Sequence, residues 1–168
     1  MTRLTTDRLV LRAAQEDDLA PLFRIYSDPR AMRYWSTLPH QTLKDTRPLH
    51  QRLMQPGARL YFVIDLDGHA IGTGGIHRDG EIGFMLHPDH WRKGLMREAA
   101  TAIIAHVWAS TDLDRITADA DPCNAASVGL LQALGFAETG RAENTFCIGG
   151  EWSDSVYFAL NRPQASSD

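Results

Sequence analysis

The chain has 168 residues, 43% of them hydrophobic and 8% aromatic, the size and balance of one globular domain with a core of its own. Its formal charge of -4 excludes a nucleic-acid binder that works by neutralising phosphates, though a local basic patch at Arg92, Lys93 and Arg97 survives within it. Two cysteines, Cys123 and Cys147, are too few for a disulfide framework. No apolar run reaches the length of a membrane span or a signal-peptide core, so a cytoplasmic protein with reduced thiols and no membrane partner is expected.

In chain order, "RLVLR" (8–12) reads as a short strand. "AQEDDLAPLFRIYSD" then sets Leu19, Leu22, Phe23 and Tyr26 on one helical stripe that ends near Asp28-Pro29. The irregular "YWSTLPH" follows, a candidate pocket wall, before a second helical pattern that should stop near Pro56-Gly57. Three strand-like runs, "RLYFVIDL", "AIGTGGIH" and "EIGFMLH", are punctuated by the turn signals Asp67-Gly68 and Asp79-Gly80 and predict an antiparallel meander. Residues 94–109 carry Leu95, Met96, Ala99, Ala100, Ile103, Ile104 and Val107 on one stripe, the strongest helix signal in the chain. "RITADA" is a strand, "NAASVGLLQAL" a helix with an Asn N-cap, and "GFAETGRAEN" and "EWSDSVYFAL" two last strands. The order predicts an α/β (mixed α+β) fold with a central mixed, mostly antiparallel sheet of six to seven strands and helices on both faces. One domain over residues 1–168 is expected, with a disordered tail over 162–168.

The stretch "MLHPDHWRKGLMREAATAIIAHVW" joins a strand to the long helix through two cations and Gly94. A helix N-terminus offers unpaired N–H groups and partial positive charge, and a glycine lets backbone approach an anion, so the joint suits phosphate. A solvated surface cluster with a permissive turn residue would look the same. "GTGGIH" does not make a dinucleotide fingerprint, because the third glycine falls at His77 and no helix follows. "HPDH" with His77 offers no defined metal geometry, and no metal is expected.

The segment "LHPDHWRKGLMREA" resembles the acyl-CoA-binding motif of the GNAT acetyltransferase superfamily, and "DADPCNAASVGLLQALGFAETGR" is similar to the family's next motif. The start "TDRLVLRAAQEDDLAPLFRIYSDPRAMRYW" and the end "GGEWSDSVYFAL" are similar to its Rim-type branch, whose members acetylate ribosomal protein N-termini and other primary amines. The resemblance implies acetyl-CoA as co-substrate and a small-molecule amine or protein N-terminus as acceptor. It leaves monomer and homodimer open. The backbone of Arg92, Lys93, Gly94, Leu95 and Met96 would donate to the pyrophosphate, with Arg97 adding charge, while the main chain of Leu86 would hold pantetheine or the acetyl carbonyl. Asn124 would touch the pantetheine arm, and Ser127 would stand near the thioester sulfur. Trp91 replaces the usual Arg or Gln, Met96 the usual Gly or Ala, and Leu131 the Tyr that serves many relatives as acid.

Ser127 is then the acid on offer, or else a first-turn residue bonding its own backbone. Glu81, at the start of the acetyl-bearing strand, is the candidate base, with Glu143 and Asp154 on the final strands; an exposed carboxylate at a strand end is the plain alternative for Glu81. The resemblance also makes Tyr34, Trp35, His77 and Trp152 candidate walls of the acceptor pocket, because their regions border the acetyl site in the family, though core aromatics would read alike. The function expected is acetyl transfer to a primary amine by direct attack in a ternary complex. The alternative is a GNAT-like domain that binds CoA as a sensor without catalysis.

Overall fold

The computed structural model describes residues 2–55, 60–77 and 80–164. β1 (Leu4–Thr5) and β2 (Val10–Arg12) open it, followed by α1 (Leu19–Tyr26), α2 (Pro29–Met32) and α3 (Leu43–Met54). The meander is β3 (Tyr61–Leu66), β4 (His69–Ile76) and β5 (Ile82–Leu86), then α4 (Leu95–Ser110), β6 (Arg115–Ala120), α5 (Ala125–Ala133), β7 (Ala137–Ile148) and β8 (Glu151–Asn161). The α/β class is as expected, but the strands form two sheets, ordered β1-β2-β3-β4-β5 and β6-β8-β7, and number eight among the described residues rather than six to seven. β1 is two residues long, too short to leave a period-two pattern in the sequence.

The hairpin turns follow their residues. Asp67 (φ 52°) and Gly68 (φ 82°) make the two-residue link between β3 and β4, and Gly149 (φ 60°) and Gly150 (φ 88°) the link between β7 and β8. β7 runs past the expected end at Asn144 through register shifts between Ala142 and Phe146, with Asn144 itself at φ 52°. Asp79 of the second turn signal and the Pro56-Gly57 stop lie outside the described residues.

Helices cover both faces of the first sheet. Phe62 and Ile64 of β3 turn toward Ala99, Ile103 and Val107 of α4, while Tyr61 and Val63 turn toward Leu22 and Ile25 of α1 and Leu53 of α3. That two-sided burial is why "YFVI" reads as a continuous apolar run. Beneath α1, Arg12 lies between Asp18 (2.7 Å) and Asp65 (2.9 Å), its pKa raised first by the Asp18 hydrogen bond. No described helix is long and apolar enough to cross a membrane.

Candidate active site

The two sheets meet at one parallel bridge, Glu81 to Thr117. Beyond it β5 and β6 part company, and the consequence for β5 follows from its hydrogen-bond register. His77 N–H donates to the Glu81 carbonyl (2.7 Å) and His87 N–H to the Ile71 carbonyl (2.8 Å), so the odd-numbered residues of β5 bond to β4. Alternation then aims the backbone groups of Phe84 and Leu86 away from β4, into the split, where they have no strand partner among the described residues. The Leu86 carbonyl is met there by a side chain: Trp91 Nε1 donates to it at 2.8 Å. Phe84 carries an outward amide equivalent to that of Leu86, and the sequence reading missed it because only strand register reveals it.

Because β5 and β6 run parallel, α4 and α5 both begin at the same end of the split, the usual place for a ligand in sheets with parallel neighbours. The loop into α4 is shaped for an anion. Arg92 (φ 59°) and Gly94 (φ 73°) are both left-handed on either side of Lys93, a conformation unusual for an arginine and of the kind found where successive N–H groups turn toward one centre. Gly94 is the N-cap of α4 and uses no side chain. Lys93 Nζ folds back onto the Asp89 carbonyl at 2.9 Å, while Arg92 and Arg97 stay exposed. Leu95 is buried, which leaves only its backbone open to a ligand, and Met96 packs against the core, half-buried. Across the split, Asn124 caps α5 by accepting the Ser127 N–H at 3.2 Å. The Ser127 hydroxyl has no protein hydrogen bond among the described residues, so the expectation that it bonds its own backbone is not what the geometry shows.

The other face of the split carries titratable groups. Ile116, Ala118 and Ala120 point into the core, which turns Thr117 and Asp119 the opposite way, to the face that also takes Glu81, Gly83 and Met85 of the β5 strand and the segment before it. Glu81 is exposed as a residue, as a carboxylate at a strand end would be, yet partial desolvation of its carboxyl and then the Asp119 charge push it above the usual carboxylate range. Burial likewise raises Asp119, against a smaller opposing pull from the Ser155 hydroxyl; Ser155 is itself buried and 2.7 Å from Thr145 Oγ1. Asp119 had no sequence signal beyond its place in a strand. His77 lies over Gly83, where a Cβ would collide with the imidazole, and 4.6 Å from the Tyr61 ring; burial, then Arg52, lowers its pKa.

The remaining candidates are more dispersed. Trp35 packs edge-on against Tyr26 at 6.2 Å in the second core, and Tyr34 stands under Arg33, whose guanidinium carbon is 5.2 Å from the ring centre. Trp152, 63% exposed on the β7–β8 hairpin, shares by alternation the side of Val156 rather than that of Ser155. Asp154 accepts the Asn144 N–H at 2.8 Å, tying down the bulge, and Glu143 is exposed. No group of three or more His, Cys, Asp or Glu among the described residues could hold a metal ion.

Comparison with known proteins places this arrangement. The acetyltransferase (GNAT) domain matches residues 8–137. An uncharacterized N-acetyltransferase p20 of Bacillus licheniformis is 29% identical over 95% of this chain and 96% of its own length. The ribosomal protein uS5-alanine N-acetyltransferase of Escherichia coli (strain K12) is 29% identical over 96% of this chain and 91% of its own. The crystal structure of a GNAT-family acetyltransferase from Bacillus anthracis superposes with a TM-score of 0.85 at 26% identity, covering 95% of this chain and 98% of that one. A split between parallel strands, an anion-shaped loop at a helix N-terminus and a family match over most of the chain lead to one conclusion: the chain belongs to the GNAT family of acetyltransferases, in its Rim-type branch, and is an N-acetyltransferase.

Proposed function

We propose that the protein transfers the acetyl group of acetyl-CoA to a primary amine, a peptide N-terminus or a small-molecule amine, by direct attack within a ternary complex. The observation that carries this reading is the pair of outward amides on β5, Phe84 and Leu86, without a partner among the described residues and opening beside the left-handed Arg92–Gly94 loop at the N-terminus of α4. The loop supplies converging N–H groups for pyrophosphate, and Leu86 holds the pantetheine arm. The Phe84 amide is the nearer donor for the acetyl oxygen, because Glu81 lies about 10 Å along the strand from Phe84 and about 16 Å from Leu86, at about 3.3 Å per residue.

The amine nitrogen must arrive without its third proton, bond to the carbonyl carbon, and displace sulfur. Glu81 takes the proton, through water over that distance, and its raised pKa makes it a stronger base than an ordinary carboxylate. Negative charge on the acetyl oxygen is met by the Phe84 N–H. As the carbon–sulfur bond breaks, the Ser127 hydroxyl delivers a proton to the departing thiolate and recovers one from the nitrogen, which sheds its second proton on becoming an amide. Tyr34, Trp35, His77 and Trp152 are proposed as the surroundings of the acceptor, His77 as a neutral imidazole.

The reading takes residues 1–168 as one domain, and it implies a cytoplasmic location, in keeping with Cys123 and Cys147 as exposed free thiols. That a related protein is a ribosomal protein uS5-alanine N-acetyltransferase supports a peptide N-terminus among the acceptors. Thiol release from acetyl-CoA, followed against a panel of N-terminal peptides, amino acids and polyamines, tests the proposal: release that depends on an amine is expected, and release indifferent to every amine would refute it.

A further inference from the structure

We infer that Arg8, in the turn between β1 and β2, is a positioning residue for the phosphate loop some 85 residues later in the chain. Its Nη1 donates at 2.9 Å to the carbonyl of Lys93, the residue that lies between the two left-handed residues Arg92 and Gly94. A Cβ on Gly94 would come within 3.6 Å of Arg8 Nη2, so the guanidinium flanks the loop at its tightest point. A left-handed arginine is strained backbone that persists only where its surroundings hold it, and this hydrogen bond is a tie of that kind.

The same guanidinium performs a second task. Glu98 stands in the first turn of α4, where a loose carboxylate would favour the N–H groups a phosphate needs and would repel the phosphate itself. Arg8 Nε and Nη2 each reach Glu98 Oε2 at 2.7 Å, the Arg8 backbone N–H reaches Oε1 at 2.8 Å, and Thr6 Oγ1 donates to Oε1 at 2.6 Å. The carboxylate is therefore neutralised and pulled sideways onto the β1–β2 turn. Its pKa falls below the ordinary range although burial opposes that, because the Thr6 and Arg8 donors outweigh burial. The Arg8 side chain is 48% exposed, and these contacts are what fix its position.

The inference rests on the proposed reading of the loop as a pyrophosphate site, and the test separates the two. Two donors are compared, acetyl-CoA and S-acetylpantetheine, which lacks the phosphates. Arg8→Gln should raise KM for acetyl-CoA about ten-fold or more, with kcat and the melting temperature near wild type and kcat/KM for S-acetylpantetheine unchanged. Arg8→Lys, which keeps the charge, should recover part of the loss, and Glu98→Gln placed on Arg8→Gln should recover part by removing the freed carboxylate. An unchanged KM for acetyl-CoA in Arg8→Gln, or equal losses with both donors, would overturn the role. If wild type shows no preference for acetyl-CoA over S-acetylpantetheine, the phosphate site itself is wrong and Arg8 has nothing to position.

Discussion

The Trp91 indole donates to the Leu86 carbonyl at 2.8 Å and so ties the loop before α4 to the strand that faces the split. An Arg or Gln is usual at this position in the family, and the indole N–H is a donor in its place. With that carbonyl occupied, the Leu86 N–H keeps a fixed direction. Trp91→Phe retains the ring and removes the donor. It should lower kcat/KM for acetyl-CoA by roughly five- to ten-fold, the worth of about one hydrogen bond, with little change in melting temperature. Wild-type kinetics in this variant would make the contact incidental.

Met96 settles on the core side of the loop. Its side chain packs against the cluster of Leu95, Ala99 and Ile103, and because it is only partly buried the cost of truncation is reduced. Met96→Ala should lose about 1 to 3 kcal/mol of stability in denaturant titrations and leave CoA affinity within about two-fold. Tighter CoA binding at unaltered stability would place the side chain in the pyrophosphate site instead.

The carboxylates Glu81 and Asp119 give a pH test. Both are raised, Glu81 by partial desolvation and then by Asp119, so the acidic limb of kcat/KM should lie above the ordinary carboxylate range. Asp119→Asn removes one repelling charge and should move the limb to lower pH, whereas Glu81→Gln should abolish most of the rate and the limb with it. Stability obeys the same linkage. A carboxyl that binds its proton more tightly in the folded chain favours folding below its unfolded pKa, and that favour is lost as pH rises through its folded pKa. Asp119→Asn should therefore gain melting temperature relative to wild type as pH rises above the ordinary carboxylate range, and keep that gain at higher pH. A limb unmoved by Asp119→Asn would mean that the two groups are not coupled.

Arg162 holds the end of β8 to the end of α4. Its guanidinium donates to the carbonyls of Leu113 (2.9 Å), Trp108 (2.8 Å) and Thr111 (2.5 Å), and lies 5.1 Å from the Trp108 ring centre. These carbonyls include ones a helix C-terminus leaves unpaired. Arg162→Ala should cost about 2 to 4 kcal/mol of stability while leaving kcat intact below the melting transition. A loss under about 0.5 kcal/mol would show that water replaces the guanidinium at no expense.

What was legible in the sequence was what local pattern dictates. The α4 stripe, the Asn124 cap and the Asp67-Gly68 hairpin were readable because each rests on periodicity or on one residue's conformational preference. Arg162, at the head of the tail expected to be disordered, is bonded through carbonyls that no pattern announces, and residues 165–168 lie outside the described residues. The split between β5 and β6 was hidden for the same reason, since pairing between strands depends on partners far along the chain. Asp119 looked like the polar half of an alternating strand, and only its neighbour Glu81 across the bridge gives it chemical interest. Arg8 belonged to a strand signal in "RLVLR" and gave no hint of Lys93 or Glu98.

Amine-dependent release of the CoA thiol, measured while acetyl-CoA and a good acceptor are varied together, tests the central claim most directly. Direct attack in a ternary complex predicts intersecting initial-rate lines, an acetylated amine formed in equal amount with free CoA, and loss of both in Gly94→Glu, where a side chain and a negative charge enter the phosphate loop at φ 73°. Tight CoA binding by the wild-type protein with no thiol released for any amine in the panel would contradict the account and leave a CoA-binding module without catalysis.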